Sequence, residues 1–314
     1  MQAEEILRKI LLPIDDSVPS HVAMELAAFI AKRFESKVTL LHAISHEFLN
    51  PQFRRFAPEA PEYVSVAPTG EQGAILAHLP DSPPRSAAPE AVVNEITEWY
   101  RQRAEEIIAE SVNLFKEEGV QVDQKIVEHA DPAEAIIEET QEGDYDLVTM
   151  GYGGEIEHKP HLGSTTQKVL RHVQTPVLIA REKRQMKRIL VPFDGSEKSQ
   201  KALKYGASLA EKSNAELTLL YIQELGLLKI KPDVAKKIGD NILSEAISQV
   251  KGVKLNQRLE SGDPAEMIVQ LADKENYDLI VMGNKGHGAV MRFLMGSVAE
   301  HVVHYANTSV LMVK

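Results

Sequence analysis

One pattern is written twice in this chain, and that repeat constrains the fold more than any single motif. KILLPIDDS at Lys9–Ser17 returns as RILVPFDGS at Arg188–Ser196, and TLLHA at Thr39 returns as TLLYI at Thr218, both 179 residues on. DPAEAII at Asp131 returns as DPAEMIV at Asp263, and YDLVTMG at Tyr145 as YDLIVMG at Tyr277, now 132 residues on. The first copy therefore holds 47 extra residues between its second strand and Asp131. The Gly-Ser pairs and the terminal runs VLIAR and VLMVK lie 133 apart, which places a one-residue deletion in the first copy's glycine-rich stretch. A chain of 314 residues is long enough for two domains with separate cores. The repeat sets them at 1–181 and 188–314, with the charged connector 182–187 (EKRQMK) between.

Each copy alternates short β-branched runs with amphipathic helical patterns, the mark of a parallel sheet covered on both faces by helices. In the second copy strands are expected near 188–194, 216–223, 254–260, 278–283 and 309–314, with helices near 197–213, 231–251, 263–276 and 296–306. Asp131-Pro132 and Asp263-Pro264 read as helix starts, aspartate capping and proline fitting the first turn. The extra residues fall within 46–93, which carries half of the chain's 16 prolines and no sustained periodicity. Proline at that density breaks helices and ladders, so this insertion reads as a covering or partner-contact loop or as a long excursion. Trp99, Ile107, Ile108 and Leu114 fall on one helical face and read as core.

The net charge of −11 opposes a general affinity for nucleic acid or anionic membrane. The absence of cysteine excludes disulfides, thiolate metal sites and a cysteine nucleophile, and suits a reducing compartment. The N-terminal MQAEEILRKILLPIDD lacks signal-peptide form. No apolar run reaches the roughly 18 residues of a membrane span. The expectation is a cytoplasmic protein.

Chemistry concentrates in two places of the second copy, Asp194 at the end of its first strand and VMGNKGHGAVMRFLMGS after its fourth. If those strands are neighbours, both sit where a doubly wound sheet binds ligands. Glycine lets backbone amides approach an anion closely, and Gly296-Ser297 opens a helix whose free amides attract phosphate. Lys285, His287 and Arg292 add positive charge, and Asp194 is an acceptor suited to ribose hydroxyls. Taken singly, such glycines also make ordinary tight turns, and Gly-Ser an ordinary cap. In the first copy the motif shortens to G-x2-G-x8-G-S, with Glu155, Glu157, His158 and His161 in its spacer. Those histidines and acids have the residue types of a metal site, but a solvated polar loop is the favoured reading. His301 and His304 sit one helical turn apart and read as packing or surface residues. No P-loop, nucleophile elbow or H-E-x-x-H motif occurs, which narrows the enzyme classes.

G-x2-G-x9-G-S after a strand ending in MG, preceded by VPFDGS, resembles the ATP-binding pattern of the universal stress proteins, and the resemblance covers both halves. It implies two flavodoxin-like (Rossmann-like) α/β domains in tandem, each a doubly wound parallel five-stranded sheet in the order 3-2-1-4-5. It further implies ATP, ADP or AMP with Mg2+, the two domains pairing through their last strands, and room for a homodimer. The nucleotide residues it implies in the second half are Pro192, Phe193, Asp194, Ile222, Met282, Gly283, Asn284, Gly286, His287, Gly288, Gly296, Ser297 and Val298. Asp194 would contact ribose, Ile222 would lie beside adenine, and the loop amides would hold phosphate. Pro13, Asp15, Ala43, Gly151, Gly154, Gly163, Ser164 and Thr165 form the corresponding first-half site, expected to be weaker because acids replace a basic and neutral spacer. No catalytic base is assignable, so a regulatory nucleotide-binding role leads. A slow ATP-hydrolysing or nucleotidyl-transfer enzyme and a nucleotide-free assembly module are the alternatives.

Overall fold

The computed structural model describes residues 6–45, 89–129, 131–153, 155–156, 159–160, 162–181, 186–223, 231–286 and 295–314. The first half runs β1 (Lys9–Pro13), α1 (Val18–Phe34), β2 (Lys37–Ser45), α2 (Pro89–Glu117), β3 (Val122–His129), α3 (Pro132–Glu142) and β4 (Leu147–Gly151). It continues with the two-residue strands β5 (Glu155–Ile156) and β6 (Lys159–Pro160), then α4 (Ser164–His172) and β7 (Val177–Ala180). The second half runs β8 (Arg188–Pro192), α5 (Glu197–Ser213), β9 (Glu216–Gln223), α6 (Pro232–Ser248) and β10 (Lys254–Ser261). It closes with α7 (Pro264–Lys274), β11 (Leu279–Gly283), α8 (Ser297–Tyr305) and β12 (Ser309–Val313). In the second half the observed elements fall within a few residues of the expected ones.

Both halves have the flavodoxin-like order 3-2-1-4-5, seen as β3-β2-β1-β4-β7 and β10-β9-β8-β11-β12, with every pair inside a half parallel. β12 runs antiparallel to β7, with Val310 opposite Ile179 and Met312 opposite Val177, so the ten strands form one sheet. Central strands such as KILLP and RILVP are buried at their three middle residues, because helices cover both faces. Alternate residues feed the two sides. Ile10 and Leu12 join the core beneath α1, α2, α5 and α6, while Leu11 joins that beneath α3, α4, α7 and α8. Each of these cores contains residues of both halves.

Local chemistry sets the helix starts. Ser17 and Ser196 accept from the amides of Ser20 and Ser199, both at 3.2 Å. Asp131 caps α3 through the Ala133 amide at 2.8 Å, and Asp263 caps α7 through the Glu266 amide at 3.1 Å. Both prolines occupy the first helical turn, where a missing N–H costs nothing. Helix α2 begins at Pro89, inside the stretch read as insertion, for the same reason. Its Ile107, Ile108 and Phe115 are buried while Leu114 and Trp99 are partly exposed, Trp99 meeting Tyr100 edge-on at 5.0 Å. The remainder of the expected insertion, 46–88, lies outside the described residues. The antiparallel β5–β6 pair stands where the sequence suggested only a polar loop.

Candidate functional site

In a parallel sheet the carboxyl ends of strands and the amino ends of helices meet along one edge, and a crevice opens where strand order reverses. That point lies between β8 and β11 in the second half and between β1 and β4 in the first. Beyond Pro192, the Phe193 amide donates to the Leu220 carbonyl at 2.8 Å and its ring is buried, which leaves Asp194 as the first exposed residue. Asp194 Oδ1 accepts from the Ser196 amide at 3.0 Å. The turn depends on Gly195, whose φ of 82° is one that L side chains rarely adopt.

Facing this turn, Met282 is buried in the core and Gly283 closes β11. A methyl group on Gly283 would stand 2.7 Å from Lys198 Cβ and 3.0 Å from its carbonyl carbon, so the first turn of α5 admits only glycine there without a shift. The chain then folds back: the Asn284 amide donates to Val313 O at 2.8 Å, and the Gly296 amide donates to Asn284 O at 2.9 Å. A methyl on Gly286 would lie 2.6 Å from Asp194 Oδ2. Asp194, Gly286, Asn284 and Gly296 therefore converge from two distant parts of the sequence. Asn284 Oδ1 is buried with no hydrogen-bond partner among the described residues. Ser297 is the exposed first residue of α8, and its N-cap residue Gly296 makes no side-chain cap hydrogen bond, so the first amides of α8 have no side-chain cap among the described residues. Val298 is half-buried against the core. Ile222 is half-buried near the end of β9, opposite Glu260. His287, Gly288 and Arg292 lie outside the described residues.

Cations gather at this loop. Burial first, then Lys201 and Lys285, hold the Lys198 amine below its ordinary range, with Glu197 opposing. Lys314 is pushed down to about 8, by burial first and then by Lys198 and Lys285.

The first-half crevice is built differently. Asp15 Oδ1 accepts from both the amide (3.1 Å) and the hydroxyl (2.5 Å) of Ser17. Asp16, in the place of Gly195, pairs with Arg103 of α2 at 2.5 Å. His42, beside Ala43 on β2, has its ring nitrogen 2.9 Å from Ile14 O, and burial lowers its pKa against the opposing pull of that carbonyl, Asp15 and Asp16. Pro13 ends β1, and Gly151 packs so closely on Pro19 that a methyl would stand 2.5 Å from its carbonyl oxygen. The Gly163 amide donates to Tyr152 O at 2.9 Å, the counterpart of Gly296 to Asn284, and Ser164 opens α4 with Thr165 behind it. Gly154, Glu157, His158 and His161 lie outside the described residues.

Lys198, Lys314, Arg103 and His42 were missed in the sequence. Lys198 alone left a trace: it stands four residues after Asp194, where the first copy has Pro19. The other three reach the crevices only through packing.

The profile of the universal stress protein family matches residues 7–63, 69–181 and 186–314. The chain belongs to the universal stress protein family. Repetition of the match across both halves fits a tandem arrangement. A universal stress protein of Methanocaldococcus jannaschii is 34% identical over 139 residues, covering 41% of this chain and 82% of that protein. One from Synechocystis is 26% identical over 215 residues, 67% of this chain and 71% of the relative. The crystal structure of a universal stress protein from Archaeoglobus fulgidus superposes with a TM-score of 0.65 at 22% identity, over 100% of this chain and 99% of that one. That likeness speaks for the fold. Among the described residues no helix is long and apolar enough to cross a membrane.

Proposed function

We propose that this tandem universal stress protein binds an adenine nucleotide, ATP or its products, in the β8–β11 crevice, and that the bound nucleotide acts as a signal in a stress response. The observation carrying this reading is the meeting of Gly286 with the Asp194 carboxylate at the open amino end of α8. It sets a hydroxyl acceptor and a phosphate cradle side by side. Asp194 would take the ribose hydroxyls, and Ile222 and the backbone of Pro192 and Phe193 would flank the base. The loop backbone at Met282, Gly283, Asn284, Gly286, His287 and Gly288, together with Gly296, Ser297 and Val298, would hold the phosphates. An uncapped helix end favours negative charge, and Lys198 and Lys285 add to it. Mg2+ would arrive on the phosphates; we assign it no protein ligand.

The first-half site, at Pro13, Asp15, Ala43, Gly151, Gly154, Gly163, Ser164 and Thr165, is proposed to bind more weakly. Asp16 stands where the second half has Gly195, and it and the spacer acids repel a polyphosphate. Efficient phosphoryl transfer needs a positioned base and concentrated charge at the γ-phosphate, and we assign no residue to either task. We further take 1–181 and 188–314 to be the two domains, joined by 182–187, paired through β7 and β12 in solution and working in the cytoplasm. A second copy could still add to the pair. Release of bound small molecules from the purified protein into a mass spectrometer, with calorimetric titration of ATP, tests the reading. Recovery of nucleotide or a binding isotherm supports it, and the lack of both would refute it.

A further inference from the structure

The two halves exchange hydrogen bonds at the far ends of the helices that open on the crevices. Arg181, just past β7, lays its guanidinium 3.3 Å from the Tyr152 ring centroid. Its Nη2 donates to Val303 O and, at 3.4 Å, to His304 O. The Tyr152 hydroxyl donates to the same His304 carbonyl at 3.0 Å. Both acceptors lie in the last turn of α8, where carbonyls have no helical partner and carry the negative end of the dipole. Arg171 of α4 pairs with Glu300 of α8 at 3.1 Å. The reverse contact is thinner: Lys314 donates to Leu170 O in the last turn of α4. Asn284 stands where the first half has Tyr152, so α4 gains no stacked ring. Burial and neighbouring lysines also hold the Lys314 charge down.

We infer that Arg181 and Tyr152, residues of the first half, are positioning residues for the second half's phosphate site, anchoring α8 from its carboxyl end so that its first amides stay aimed at the phosphates. This rests on the nucleotide reading above. A nine-residue helix is about 13 Å long, so a cation and a hydroxyl fixed at one end hold the direction of the other. Tyr152 directly follows Gly151 in the first half's glycine loop, so the anchor of one site is a residue of the other.

The test uses full-length protein in an Asp15→Ala background, with ATP, AMP and adenosine titrated by calorimetry. Arg181→Met should weaken ATP about 5- to 10-fold, AMP less, and adenosine not measurably, since the effect runs through helix charge and aim. Tyr152→Phe should lie between Met and wild type. Arg181→Lys, which keeps the charge and a donor, should recover most of the ATP affinity. It also tests the inference if the methionine variant fails to fold. Equal losses for adenosine and ATP, or ATP affinity untouched in every variant, would overturn the inference while leaving the nucleotide site standing. A parent protein that binds none of the three ligands would overturn the nucleotide reading and the inference with it.

Discussion

Gly286→Ala and Gly283→Ala add the same methyl group to one loop and should do different things. At Gly286 the methyl would stand 2.6 Å from Asp194 Oδ2 and 3.8 Å from its Cγ, with no other described residue within 4 Å. The residue is exposed and its φ lies outside the left-handed region, so the backbone accepts alanine and only the carboxylate must swing away. Hydrogen bonds to a charged acceptor contribute about 1.5–3 kcal/mol. Losing the aligned acceptor should therefore weaken ATP about 10- to 100-fold, with a melting shift under about 2 °C. At Gly283 the methyl meets Lys198 Cβ at 2.7 Å and the carbonyl carbon at 3.0 Å, and that stretch of α5 cannot turn aside. Overpacking of this kind costs about 1–3 kcal/mol, roughly 2–10 °C in a chain of this size. Differential scanning calorimetry and isothermal titration with ATP read the two effects separately. ATP binding at wild-type strength by Gly286→Ala, or an equal loss of stability in both variants, would refute the reasoning.

Lys314 gives a pH signature. With its pKa pushed down to about 8 in the folded protein, against the ordinary lysine value of 10.5, the unfolded chain holds a proton that the folded chain lacks between those values. Stability should therefore rise with pH across that window, and Lys314→Met should flatten the rise in urea melts from pH 7.5 to 10. A polyphosphate near Lys314, whose pKa is pushed down to about 8, favours its protonated form, so calorimetry at pH 8 in buffers of different ionisation enthalpy should register net proton uptake on ATP binding. Asp263→Ala removes a helix cap and should cost about 1 kcal/mol, seen in denaturant melts without a change in ATP affinity.

Most of the fold was legible because the repeat reports on itself. The offset landmarks locate the matching strands, and the Asp-Pro pairs mark helix starts by capping chemistry that is local to a few residues. The approach of Asp194 to Gly286 and the glycine at Gly283 were foreshadowed for the same reason, since each belongs to a short segment with its own backbone demands, while 287–294 lies outside the described residues. The hairpin β5–β6 was not, because two-residue strands carry no periodicity. Nor were the contacts of Arg181 and Tyr152 with the last turn of α8, which depend on how the strands of the two halves meet at the β7–β12 edge. Pro89 misled in the other direction: in a proline-dense stretch it read as a breaker, yet it occupies the first turn of α2, where proline is welcome.

The central claim is that the second-half crevice is the stronger nucleotide site. Titration of ATP into the wild type, Asp15→Ala and Asp194→Ala decides it in one calorimetric series. A tight phase should survive Asp15→Ala and disappear in Asp194→Ala. A tight phase that persists in Asp194→Ala and is lost in Asp15→Ala would contradict it.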